Sequence, residues 1–175
     1  MNTGIVIYRS KYGAAKKYAG WIAEKTGFDC IEASKAEIGA LTPYNTVIFC
    51  GGIYASGIAG LSFLRKHYRQ LQGKRLAVFC TGASPYSPEA FEAIRARNLK
   101  GELQAVPLFY GRGAWDEKAM SFKDRTLCGL LKRAVAKSEP SAREPWMEAL
   151  LCASGQQCDW TEEKYLDPLI RYVTE

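Results

Sequence analysis

Close cysteine pairs, histidine and long apolar runs are all scarce in this chain, and each scarcity removes a class of function. The six cysteines, Cys30, Cys50, Cys80, Cys128, Cys152 and Cys158, contain no C-x-x-C pair, and four of them sit inside apolar runs or helices. Cys152 and Cys158 are the one close pair and lie far along the chain from His67, the sole histidine. A metal centre is therefore not expected, and reduced thiols of a cytosolic protein are. No apolar run approaches the ~20 residues of a membrane span, and the first residues lack the basic, apolar and small-residue blocks of a signal peptide. The expectation is a soluble, intracellular protein. There is no glycine-flanked Lys-Ser or Lys-Thr pair and no G-x-G-x-x-G, which excludes the nucleoside triphosphate loop and the dinucleotide fingerprint. Internal repeats and low-complexity tracts are absent, and no nucleic-acid reading motif interleaves with the basic residues. Acidic side chains are also in short supply, 18 against 24 Lys and Arg, for a formal charge of +6 and a pI near 9.0.

What is present reads as one compact α/β domain spanning 1–175, since 175 residues at 47% hydrophobic content supply one full core. Short apolar runs alternate with helical periodicity. Ile5 to Tyr8, Phe28 to Ala33, Thr46 to Cys50, Leu76 to Cys80 and Gln104 to Tyr110 read as five strands. The run from Thr46 is almost wholly apolar and the run from Leu76 fully so, as strands covered on both faces should be, whereas Pro107 places the fifth strand at an edge or bulge. Helices fill the intervals: one stops at Gly27, one carries Leu61, Leu64, Tyr68 and Leu71, and one starts with Ser87 as N-cap and Pro88 at N1. The pattern is a doubly wound parallel sheet in the order 2-1-3-4-5. A segment over 112–160 interrupts it after the fifth strand, with a basic helix around Leu127 to Val135. An irregular connection follows, holding one helical turn near Met147 to Leu151, and a last helix capped by Thr161 has its start shifted or kinked by Pro168.

The chemistry concentrates at the strand ends. After Tyr8 comes a compact loop, Arg9-Ser10-Lys11-Tyr12-Gly13-Ala14-Ala15, running into a helix with Tyr18, Ala19 and Ile22 on one face. Unpaired helix-start N–H groups, the Ser10 hydroxyl and the charges of Lys11, Lys16 and Lys17 make this a phosphate-holding loop. The third strand is followed by Gly51-Gly52-Ile53-Tyr54-Ala55-Ser56-Gly57, and the fourth by Thr81-Gly82-Ala83. In open α/β sheets ligands bind outside these strand ends, and glycine permits close backbone approach. No catalytic acid or base is identifiable.

Val6, Ile7, Tyr8, Ser10, Gly13 and Ala19 fit the frame of the flavodoxin phosphate loop, with Ala15 where that family places its second hydroxyl. The chain thus resembles the flavodoxin-like superfamily. The resemblance implies FMN as cofactor, held by Ser10, Lys11, Tyr12, Gly13, Ala14 and Ala15, with Gly52, Ile53, Tyr54 and Ala55 and then Thr81, Gly82 and Ala83 against the flavin ring. Loss of the hydroxyl at Ala15 removes a donor worth roughly 1–2 kcal/mol to a charged group. The exit Phe109-Tyr110-Gly111-Arg112-Gly113, the basic helix and Asp159-Trp160-Thr161 resemble the menaquinone-dependent protoporphyrinogen dehydrogenases of flavodoxin type. That likeness implies a quinone-linked oxidoreductase, with a redox partner or small-molecule substrate. Trp115, Phe122, Arg125 and Lys132 are then candidates for substrate contact or for peripheral contact with the inner face of the membrane. Segment 112–143 carries eight basic residues against four acidic, which suits anionic surfaces or carboxylated substrates. Two alternatives stay open: a non-enzymatic electron carrier for a dedicated partner, and a flavodoxin fold that has lost FMN.

Overall fold

The computed structural model describes residues 3–175. Five parallel strands form its sheet: β1 Gly4–Arg9, β2 Asp29–Glu32, β3 Thr46–Tyr54, β5 Arg75–Gly82 and β6 Leu108–Arg112, with a two-residue β4, Gly57–Ile58, folded back on β3. Their spatial order is β2-β1-β3-β5-β6, the doubly wound order read from the sequence. Helices α1 Ala14–Thr26, α2 Ser62–His67, α3 Pro88–Asn98 and α6 Asp167–Thr174 flank it. The faces differ. On one, Val6, Ile48, Ala77 and Phe79 meet Tyr18, Ala19 and Ile22 of α1 and Leu169 and Val173 of α6. On the other, Ile7, Phe49 and Val78 pack with Leu61, Leu64, Leu71 and Leu103. Burial on both faces explains why the middle of each central strand, Val47 to Cys50 and Leu76 to Cys80, is apolar without a break.

The expectations for the later elements need correction. Pro107 lies just before β6 and not within it: a 3-10 turn, Gly101–Ala105, takes up the start of the apolar run. The proline's missing donor is harmless there, while its carbonyl accepts from Val78 N at 2.9 Å. Pro145–Ala153 is a helix of nine residues, α5, longer than one turn because Pro145 starts it favourably. Gln157–Asp159 forms β8, paired antiparallel with β7, Ala114–Asp116. Thr161 does not cap the last helix; its hydroxyl donates to Asp159, and α6 begins later, with Pro168 in its first turn.

The glycine-rich stretch after Cys50 is not a loose loop. Strand β3 runs on through Gly51 and Gly52 to Tyr54 and turns back through Ala55 and Ser56 alone. Both turn residues are left-handed, with φ of 47° and 65°, as a two-residue hairpin turn demands and as non-glycine residues resist. Replacing Ser56 with glycine should therefore raise stability by about 0.5–1 kcal/mol, relief of strain less the added freedom of the unfolded chain. Urea denaturation checks it; a loss of stability would show that Ser56 is not strained.

Candidate functional site

The carboxyl ends of β1, β3, β5 and β6 meet at one end of the sheet. A cavity of about 500 Å³ lined by Ile38, Thr42, Asn45, Gln70 and Lys74 lies at the opposite end, before β3 and β5 begin, and has no part in this site. At the β1 exit the chain turns through Ser10, whose Oγ accepts from Gly13 N at 3.1 Å. Gly13 is the N-cap of α1 with φ +97°, a conformation only glycine adopts freely, and no side chain caps the helix. The first-turn N–H groups at Ala14 and Ala15 thus belong to an uncapped positive helix end. Ala15 is only 2% exposed, so its methyl packs inward and the loop has no hydroxyl there.

Lys11 and Tyr12 reveal what this loop can hold. The Lys11 ammonium and the Tyr12 hydroxyl both donate to the same carboxylate oxygen of Asp124, a residue of α4, Phe122–Ala136, in the inserted segment. Ser121 N–H completes the seam, reaching Tyr12 Oη at 3.4 Å. These charge-assisted contacts hold the Asp124 carboxyl below the usual carboxylate range, through Lys11 first and Tyr12 second, and raise the Lys11 ammonium in turn. The donor set expected for a phosphate is therefore occupied by an anion of the chain's own. The residues therefore fit an anionic cofactor group: an ammonium and a phenol, next in sequence to an uncapped helix start, hold one carboxylate oxygen.

Tyr54 does not splay into solvent. Its hydroxyl accepts from Lys11 N at 3.2 Å, and its ring meets Tyr12 edge-on at 5.9 Å between centroids. It also lies so close over Gly52 that a β-carbon there would sit 2.7 Å from the Tyr54 hydroxyl. Burial pushes the Tyr54 phenol up, so it stays neutral. The hairpin and the phosphate loop are thus joined by one tyrosine. On the far side, Thr81 Oγ1 is buried without a partner, and a β-carbon on Gly113 would lie 2.6 Å from it and 3.4 Å from Ala14 Cβ. Thr81, Gly113 and the start of α1 therefore crowd together, and Gly82 accepts from Gly113 N at 2.7 Å. Ala83 accepts from Arg112 Nε at 2.9 Å. Ile53 is half-buried beside Gly82 and Ala55 stands at the hairpin tip.

The inserted residues divide by task. Lys132 is engaged with Glu117 at 2.9 Å, and the same carboxylate takes Gly155 N and Trp115 Nε1. Burial alone would raise Glu117, but Lys132 and Gly155 outweigh it and hold it below its ordinary range. Arg125 spans the carbonyls of Glu117, Lys118 and Met120. Lys132, Arg125 and Trp115 thus build the insertion, whereas Phe122 is 85% exposed and Leu127, Leu130 and Leu131 join it outside. Asp124 and Arg112 were not picked out as site residues in sequence, because each acts through contacts more than twenty-five residues away.

Asp159 ties β8 to α1 through Lys17 at 2.8 Å. Burial by itself raises its pKa, yet Lys17 and Thr161 prevail and lower it from 3.8 to about 2. A depressed carboxylate contributes stability above its unfolded pKa and loses it as pH falls through the folded one. The gap in melting temperature between wild type and Asp159→Asn should therefore close as pH drops from about 4 to about 2. A gap that persists undiminished at the lower pH would refute this.

Comparison with known proteins adds the following. No curated protein matches the chain. Among solved structures, an archaeal flavodoxin is 16% identical, covering 72% of this chain and 90% of its own, at a TM-score of 0.43. A flavodoxin from Streptococcus pneumoniae TIGR4 is 14% identical over 99% and 96%, at 0.44. An FMN-dependent NADH-azoreductase from Bacillus anthracis, solved in complex with FMN, is 8% identical over 72% and 93%, at 0.42. The family model described as flavodoxin domain matches residues 5–141. The chain belongs to the flavodoxin domain family.

Proposed function

We propose that this protein is an FMN-dependent oxidoreductase of the quinone-linked type that resembles the flavodoxin-like protoporphyrinogen dehydrogenases. The observation that carries the reading is the anion seat at the start of α1, where Lys11 and Tyr12 converge on one carboxylate oxygen beside an uncapped helix end. A phosphate presents the same charge to the same donors. Lys11, Tyr12 and the first-turn N–H groups of α1 would hold the FMN phosphate; the β3 hairpin and Thr81 to Ala83 would flank the ring. Bound FMN would supply transfer of a hydride or of single electrons. The chain's own contribution is positional: Tyr54, neutral and bonded to Lys11 N, links the phosphate seat to the ring hairpin. Gly51 and Gly52 let the backbone approach closely, since a β-carbon at Gly51 would meet the Ala59 carbonyl at 2.6 Å.

The outer face of α4 supports a surface partner. Phe122, Leu127, Leu130 and Leu131 are exposed among Lys123, Arg133 and Lys137, an arrangement suited to peripheral contact with an anionic membrane from which a quinone is drawn. No helix among the described residues is long and apolar enough to cross a membrane. A net charge of +6 runs against a soluble shuttle that docks on basic enzymes.

A second reading follows from Asp124 itself: with Ala15 lacking a hydroxyl, the carboxylate would be the permanent occupant of a seat that has lost FMN. The visible absorption spectrum, recorded after adding FMN and removing the excess, separates the two. Flavin bands that stay with the protein support the oxidoreductase, and menaquinone-linked oxidation of a porphyrinogen is then the substrate assay. A colourless protein overturns it.

A further inference from the structure

Among the described residues, two half-buried guanidinium groups have no carboxylate partner: Arg95, which donates to Gln104 O at 2.9 Å from the far end of α3, and Arg112, which stands at the carboxyl end of β6. Arg143, comparably sheltered, is paired with Glu148, and Arg125 is spent on three carbonyls. Arg112 uses only Nε, which donates to Ala83 O at 2.9 Å, and it enters no ion pair among the described residues. An arginine side chain carries five N–H donors in a planar fork. Four are left over here, on Nη groups that make no hydrogen bond to the protein and are not sealed from solvent.

The side chain is also held in place from behind. Its guanidinium carbon lies 4.0 Å from the centre of the Trp160 ring, a stacking distance. Trp160 N in turn donates to Gly113 O at 3.0 Å, so plate and arginine are fixed through neighbouring residues. The backbone at Arg112 cannot shift easily. A β-carbon on Gly111 would strike Phe79 Cζ at 2.6 Å, and the fully buried Tyr18 donates its hydroxyl to Arg112 O at 2.5 Å. Burial pushes the Tyr18 phenol up, so this donor is never lost to ionisation near neutrality. Asp116, the acid nearest in sequence, accepts from the backbone N–H groups of Lys118 and Ala119, and Asp159, the neighbour of Trp160, is taken by Lys17 and Thr161.

We propose that Arg112, stacked on Trp160 and anchored to Ala83, is a carboxylate-reading residue that binds the acid group of an organic anion at the outer edge of the site. A guanidinium fixed at Nε presents its Nη groups as a fork that matches both oxygens of a carboxylate. The neutral amide of the same acid cannot satisfy it. Its position beside Ala83 puts the bound acid next to the segment assigned to the ring. That the bound acid is also the molecule reduced or oxidised rests on the oxidoreductase reading; the binding itself does not.

The test uses the full chain without added flavin. Equilibrium dialysis against labelled benzoate and against benzamide measures binding directly, and circular dichroism confirms that each variant is folded. Saturable binding of benzoate, little or none of benzamide, and at least a tenfold weaker benzoate constant in Arg112→Gln are expected. Trp160→Leu, which keeps the fork but removes its plate, should weaken benzoate several-fold and serves should Arg112→Gln fail to fold. No saturable benzoate binding, equal binding of the amide, or unchanged affinity in the folded variants overturns the proposal. In flavin-loaded protein, Arg112→Lys should raise KM for a carboxylated electron acceptor by a larger factor than KM for its methyl ester. Benzoate binding by a chain that retains no FMN would uphold this site and refute the oxidoreductase.

Discussion

Replacing Asn98 with alanine should destabilise the protein by about 2–4 kcal/mol, an exceptional loss for one polar side chain. Asn98 is 4% exposed and closes α3, Pro88–Asn98. Its Oδ1 accepts from Ile58 N at 2.9 Å, and its Nδ2 donates to Ser56 O at 2.9 Å and Ile94 O at 2.8 Å. Two of those partners are backbone groups of the hairpin whose turn residues, Ala55 and Ser56, stand at positive φ. Alanine would leave Ile58 N–H without its acceptor and would free a strained turn that persists because its surroundings over-determine it. Unsatisfied buried groups cost roughly 1–3 kcal/mol, and the vacated volume adds to that. Aspartate is no substitute: it restores the acceptor but puts a charge in place of a buried donor. Because the hairpin carries Ile53 and Tyr54, flavin retention should fall along with stability. Urea denaturation of the variant measures the first effect; a loss under 0.5 kcal/mol would mean that the hairpin holds its own shape.

The strand and helix order was legible because it rests on local signals. Apolar runs such as Val47-Ile48-Phe49-Cys50 announce a strand buried on both faces, and Gly27, Ser87 and Pro88 mark helix ends by backbone chemistry confined to a few residues. The turn from β1 into α1 was legible for the same reason: Ser10 to Ala15 is one contiguous segment closed by Gly13. The hairpin after Gly52 was not, since Ala-Ser is a poor turn signal and its support, Asn98, lies forty residues on. Nor was the seat of Asp124. An aspartate three residues after Ser121 reads as an ordinary acidic first-turn residue, and Ser121 Oγ does accept from Asp124 N at 3.2 Å. Only the fold shows that its carboxylate crosses to Lys11, 113 positions away. The insertion was misread in proportion to its dependence on such contacts: β7 and β8 are three residues each and exist only by pairing with each other.

Asp124→Asn should tighten FMN binding at least tenfold, and Lys11→Met should weaken it by a similar factor; a tenfold change corresponds to about 1.4 kcal/mol. The carboxylate and a phosphate compete for the same ammonium and the same phenol. Lys11 and Tyr12 hold the Asp124 carboxyl below its ordinary range, so it remains ionised at neutral pH and the competition is undiminished there. An amide still accepts one hydrogen bond but carries no charge to repel a phosphate dianion, and it releases most of the hold on Lys11. The same substitution unties the insertion, because Asp124 and Ser121 are its links to Tyr12. Limited proteolysis should accordingly cut between Glu117 and Lys123 faster in Asp124→Asn than in wild type, and faster in wild type once FMN is bound. Titration of the apoprotein, followed by quenching of flavin fluorescence, gives the affinities. If Asp124→Asn binds FMN more weakly than wild type, the carboxylate is a brace that shapes the loop for its ligand, and displacement by phosphate is not how this site fills.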